Sequence, residues 1–152
     1  MDRSNALVVD ASVAVKWHLI DEEHAEPALA LLTGLLQGQI GLLAPDYIRY
    51  EVPAAISVAT RARPPRLTVD EGRAAIQEFL DIPLTTRDSE GLIVEAYPLV
   101  HRYGCALYDA LYVALAERLA LPFVTADRRL YQRIRHIPRI IWIAGYGPRQ
   151  PT

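Results

Sequence analysis

Short apolar runs that stop abruptly at a polar residue constrain this chain most. Ala6-Leu7-Val8-Val9 is uninterrupted and ends at Asp10; Pro122-Phe123-Val124-Thr125 and Ile140-Ile141-Trp142-Ile143 repeat the pattern late in the chain. A strand with one wet face alternates apolar and polar side chains, whereas a strand covered on both faces reads as a continuous apolar run. Residues 40–44 read as a fourth, shorter strand. Stripes at helical spacing lie between these runs. Ala25, Ala28, Leu29, Leu32, Leu35 and Leu36 form one that stops at Gly38, and Ile48, Val52, Ala55, Ile56 and Ala59 form another. Thr68 followed by Glu71 matches a capping box, opening a helix expected to bury Ala75, Ile76, Phe79 and Leu80. Leu92, Ile93, Ala96, Leu99, Val100 and Tyr103 make a further stripe, and residues 108–120 are apolar almost all round. Buried strands alternating with helices predict an α/β fold, a three-layer α/β/α sandwich with a mostly parallel central sheet.

Residues 61–66, rich in Pro and Arg, read as a loop and not as a boundary, so one domain is expected over 1–152. Apolar residues make up 51% and charged residues 22%, an ordinary globular composition. No apolar run approaches the roughly 20 residues of a membrane span, and Met1-Asp2-Arg3 leads into a strand without a signal peptide's apolar segment. Cys105 is the lone cysteine, which excludes an internal disulfide and a Cys-based zinc site; it reads as a small buried apolar residue. A cytoplasmic protein is expected. The net charge of −2 argues against a simple nucleic-acid coat protein. Its distribution is uneven: Arg128, Arg129, Arg133, Arg135, Arg139 and Arg149 face a single late acid, Asp127. Guanidinium groups suit bidentate phosphate contacts, although such a cluster is by default a solvated face.

Four acids occupy awkward places. In open parallel sheets ligands gather at the carboxyl ends of the strands, where Asp10 and Asp127 fall. Each has a bland alternative as a helix cap. Glu51 lies within the stripe of Ile48, Val52 and Ala55, and Asp109 stacks with Tyr112, Val113 and Ala116. A buried unpaired carboxylate costs several kcal/mol or takes up a proton, and a helix N-terminus offsets only about 0.3–1 kcal/mol of that. A buried arginine is one remedy and a shared cation is another. Carboxylates without cysteine, and without paired-histidine spacing among His18, His24, His101 and His136, form an all-oxygen donor set suited to Mg²⁺ or Mn²⁺. Such an ion activates water and neutralises charge growing on a phosphoryl group.

Val8-Val9-Asp10-Ala11-Ser12 resembles the opening of PIN domains, in which a strand delivers the first acid and a hydroxyl residue follows two positions on. Pro45-Asp46-Tyr47-Ile48-Arg49-Tyr50-Glu51-Val52 resembles the segment bearing that family's glutamate. Residues 108–117 followed by Leu121-Pro122-Phe123-Val124-Thr125-Ala126-Asp127 resemble its third and fourth motifs, with Asp109 and Asp127 eighteen residues apart. The resemblance is to PIN-domain ribonucleases, particularly the toxin half of VapC-type toxin–antitoxin pairs. It implies a Mg²⁺- or Mn²⁺-dependent endoribonuclease that leaves a 5′-phosphate and a 3′-hydroxyl. It also implies that Asp10 and Asp109 are direct metal ligands, that Glu51 and Asp127 complete the cluster directly or through water, and that Ser12 and Thr125 orient them. A homodimer and a small protein antitoxin are implied partners. Arg128 and Arg129, nearest the acids, are the candidate RNA contacts. One departure is Ala54 where many relatives carry Asn; Pro53 beside it is expected to disturb the helix around Glu51 unless it falls in the first turn.

Two other enzyme classes fit less well. Dehalogenase-like phosphatases need a second Asp where Ser12 stands, and receiver domains need a late lysine, whereas Lys16 is the only one. The stronger alternative is a PIN-like module that binds protein or RNA without cutting. Degenerate modules normally lose acids; this chain keeps four.

Overall fold

In a computed structural model of the chain, residues 5–147 are described; Met1-Asp2-Arg3 and Arg149 lie outside them. The expected strands form as β1 (Ala6–Val9), β2 (Gly41–Pro45), β4 (Phe123–Thr125) and β5 (Ile140–Trp142). A further strand, β3 (Thr85–Arg87), pairs with β2 at one edge. Its short polar sequence carries no apolar run, so its pairing comes from the neighbouring strand. The sheet order is β3-β2-β1-β4-β5, and every ladder is parallel.

Among the described residues the helices are α1 (Ala11–Ala14), α2 (Ala25–Leu36), α3 (Ile48–Arg61), α4 (Val69–Asp81), α5 (Ile93–Tyr103), α6 (Leu107–Leu119) and α7 (Arg128–Ile134). The strand order reverses direction after β3. Right-handed crossovers therefore put α1–α4 on one face of the sheet and α5–α7 on the other. This is the predicted α/β/α sandwich, with its switch point between β1 and β4, where the reversal opens a crevice at the strands' carboxyl ends. Helix α6 lies against β1, β2 and β4, and its residues 110–116 are all buried. That explains its lack of a polar face.

Two stripes sit differently from expectation. In α2 the buried residues are Ala28, Leu31 and Gly34, while Leu29 and Leu36 are exposed, so the helix is rotated toward its small residues. Gly34 allows this because a Cβ there would lie 3.2 Å from the Ile40 side chain. In α4 Ala75 and Phe79 are buried as expected, but Leu80 is exposed. The capping box is present, with the Thr68 hydroxyl and the Glu71 carboxylate each accepting the other's backbone N–H at 3.1 Å. Pro53 lies inside α3 beyond its first turn, yet the helix runs on unbroken to Arg61. The expected disturbance is absent: the proline's fixed φ suits a helix, and the one backbone bond it omits falls near the helix start.

Candidate active site

The end of β1 delivers Asp10, only 5% exposed, into a set of donors. The Ser12 hydroxyl donates to its Oδ1 at 2.5 Å and the Thr125 hydroxyl to its Oδ2 at 2.6 Å, while the Val13 N–H reaches Oδ1 at 3.3 Å. Those hydroxyls are themselves held. Ser12 accepts the Ala126 N–H at 2.9 Å, and Thr125 accepts the Asp127 N–H at 3.1 Å. The chain leaving β4 is thus tied to the chain leaving β1 through two side-chain oxygens. Asp127 caps α7 by accepting the Leu130 N–H at 3.0 Å, and Asp10 caps α1 through Val13. The capping reading of both acids is correct as far as it goes, but each cap leaves carboxylate lone pairs free to bind something else.

Glu51 and Asp109 arrive on α3 and α6. Both are half-buried, and among the described residues neither has an arginine or lysine partner. The ion-pair remedy is therefore not used. The Tyr112 hydroxyl donates to Glu51 Oε1 at 2.5 Å. Tyr112 is buried on the same face of α6 as Asp109, one turn further on, so one helix supplies an acid and the clamp for another acid. In sequence Tyr112 stands out only as an apolar neighbour of Asp109. The usable signal was a phenol, which needs a partner when buried, one turn from an acid in an otherwise apolar helix.

The four carboxylates act on one another electrostatically. Burial pushes Asp10 up to about 6 against the lowering effect of Ser12 and Thr125, with Asp127 adding to the rise. Burial pushes Glu51 up to about 7, Tyr112 opposes this, and Asp10 and Asp109 raise it further. Asp109 is raised by burial and then by Asp127. Burial and the Glu51 charge raise Tyr112 as well, so it stays a hydrogen-bond donor. Uncompensated negative charge is concentrated where the crevice opens.

Among the described residues no three of His, Cys, Asp and Glu lie close enough to cage an ion unaided. The donor set nevertheless fits a hard divalent cation. It is all oxygen, it lacks a positive partner, and burial first and acid–acid repulsion second raise Asp10, Glu51 and Asp109, both effects that a cation would oppose. Mg²⁺ keeps several waters and commonly takes only one or two direct carboxylates, so a three-acid cage is not required.

The candidate RNA contacts lie beside this site on α7. Both Arg128 and Arg129 are exposed. The Arg128 guanidinium sits 5.4 Å from the centre of the Trp142 ring and 3.9 Å from Glu23, whereas Arg129 has no acid partner among the described residues. Cys105 is buried and free, as expected.

Comparison with known proteins follows the same outline. A family model described as the PIN domain matches residues 7–136. Ribonuclease VapC12 of Mycobacterium tuberculosis is 33% identical over 138 residues, covering 91% of this chain and 99% of that protein. Among solved structures, PAE2754 from Pyrobaculum aerophilum superposes with a TM-score of 0.64 at 22% identity, covering 92% of each chain. VapC20 of Mycobacterium tuberculosis, described as a sarcin–ricin-loop-cleaving toxin, gives 0.60 at 14% identity, covering 95% of this chain and 99% of that one. With a family match over most of its length and a relative aligned end to end, the chain belongs to the PIN-domain family.

Proposed function

We propose that this chain is a Mg²⁺- or Mn²⁺-dependent endoribonuclease and the toxin of a toxin–antitoxin pair. The carrying observation is the set of carboxylates without a cationic partner, Asp10, Glu51, Asp109 and Asp127, gathered at the switch point of the sheet, where burial and then the neighbouring acids raise Asp10, Glu51 and Asp109. The relative named a ribonuclease and the neighbour described as an RNA-cleaving toxin support the same reading. Asp10 and Asp109 would hold the ion, with Glu51 and Asp127 completing its surroundings directly or through water. A bound divalent ion supplies an activated water and neutralises charge on the phosphate. Ser12 and Thr125 fix both oxygens of Asp10, which sets the direction of the remaining lone pairs. Tyr112 occupies Oε1 of Glu51 and leaves Oε2 free to accept from a water. Arg128 and Arg129 would hold the RNA backbone that the acids repel. The partners are RNA, a small protein antitoxin and a second copy of the chain in a homodimer. The place is the cytoplasm, where RNA is found and a free Cys105 remains reduced.

Calorimetric titration of Mn²⁺ and Mg²⁺ into the chain, with RNA cleavage assayed with and without EDTA, tests this directly. Metal uptake and EDTA-sensitive cleavage are expected; a chain that takes up neither ion is a binding module and not a nuclease. Salt-dependent RNA binding by Arg128→Ala and Arg129→Ala tests the basic helix. Loss of a phosphate contact should flatten the salt slope by about one unit, and an unchanged slope in both variants removes α7 from the RNA path.

A further inference from the structure

Three tyrosines crowd the rim of the acidic crevice, and nothing described above uses them. Tyr47 stacks on Tyr108 with ring centres 4.5 Å apart and planes 9° from parallel, and Tyr50 lies 6.3 Å from Tyr47 at 38°. Tyr47 and Tyr50 are at the start of α3, and Tyr108 is at the start of α6. Tyr47 stands one turn before Glu51 and feels its charge, and Tyr108 is stacked on Tyr47, so the stacked pair lies beside that acid. Tyr50 is 72% exposed and Tyr108 52% exposed.

A structural role accounts for part of this: the Tyr47–Tyr108 stack ties α3 to α6. It does not account for Tyr50, whose ring is mostly in water, nor for the exposed half of Tyr108. The acids beside the rings repel phosphate and leave Arg49 as the one cation between Tyr47 and Tyr50 in sequence, so charge holds RNA poorly on this part of the rim. A nucleobase is the uncharged, flat part of a nucleotide, and flat neutral rings beside anionic side chains suit it. Base-on-aromatic stacking needs an unpaired base and tolerates any sequence, because every base has a π face.

We propose that Tyr47, Tyr50 and Tyr108 form a stacking platform that receives an unpaired nucleobase beside the phosphate that is cut. The proposal rests on the nuclease reading above. Its test reads binding separately from cleavage.

The probe is a short oligouridylate carrying one central 2-aminopurine, free or annealed to its complement, titrated into catalytically inactive Asp10→Asn protein. Stacking on an aromatic ring quenches 2-aminopurine. Quenching of the single strand and none of the duplex is expected. Tyr50→Leu and Tyr108→Leu should each weaken single-strand binding by about tenfold and reduce the quench. Tyr50→Phe and Tyr108→Phe, which keep the ring, should retain both. With Asp10 intact, the leucine variants should raise KM more than they lower kcat. Because both positions are largely exposed, circular dichroism should show the fold unchanged. Unaltered affinity and quench in both leucine variants would overturn the platform and leave these rings to a protein partner. Leucine variants that bind normally while wild type cuts RNA refute the platform alone. If wild type cuts no RNA with either metal, the nuclease reading fails, whatever the quench shows.

Discussion

Asp10, at the end of a strand, and Glu51, inside a helix, solve the problem of a buried carboxylate differently. Asp10 is the more deeply buried, yet its pKa rises no further than that of half-buried Glu51, from 3.8 to about 6 against 4.5 to about 7. The difference lies in the donors. Asp10 receives two hydroxyls and a backbone N–H, whereas Glu51 receives one phenol and faces two other acids. Burial depth alone therefore does not rank these groups; hydrogen bonds to the charged form do. The strand-end acid is preorganised by its own scaffold, and the helix acid is held by one donor against the repulsion of two neighbouring acids.

That contrast can be broken most forcefully at Asp10. Asp10→Asn should lower RNA cleavage by orders of magnitude with the fold intact, measured by initial rates and circular dichroism. Cleavage near the wild-type rate would remove Asp10 from the machinery. Thr125→Val keeps the shape of the side chain but deletes the donor to Oδ2 and the acceptor for the Asp127 N–H. Loss of a partner that orients a ligand typically costs about 10–100-fold in metal affinity or activity, and Mn²⁺ titration should show a loss in that range. Tyr112→Phe removes the one hydrogen bond to the Glu51 carboxylate among the described residues and should have a smaller effect, at most about tenfold in Mn²⁺ affinity. A larger loss than Thr125→Val would mean that the helix acid, not the strand acid, sets the site.

The smallest expected effect is on stability. Asp10 and Glu51 rise from 3.8 and 4.5 to about 6 and about 7, so the metal-free fold binds extra protons that the unfolded chain releases. Their contribution is full below about pH 4 and is lost as pH rises through about 7. Thermal melts in EDTA should show Tm falling by on the order of 5 °C between pH 5 and pH 8, with Mg²⁺ restoring it at the upper end. Asp10→Asn should flatten this slope; a slope unchanged by the substitution would show that Asp10 is not the group that titrates.

Much of this was legible before any coordinates. Continuous apolar runs ending at Asp10 and Thr125 announced strands buried on both faces, because no other short element lacks a polar side. Thr68 and Glu71 announced a helix start, because capping is a local matter of three residues. The four acids stood out for a similarly local reason: each broke a pattern that its neighbours established. β3 was invisible because Thr85-Thr86-Arg87 has no pattern of its own and becomes a strand only beside β2. The rotation of α2 was invisible because either of two overlapping stripes could be buried, and only the close fit of Gly34 against Ile40 chose between them.

The sequence by itself thus determined the sandwich and every element in it with a pattern of its own, and it singled out the four acids, since these follow from periodicity and from residues that violate it. Only the tertiary structure decided how each acid is held. Thr125 reaches Asp10 across 115 positions and Tyr112 reaches Glu51 across 61. Such partnerships depend on which strands lie side by side and which helix crosses them, and sequence spacing carries no record of a contact made through space.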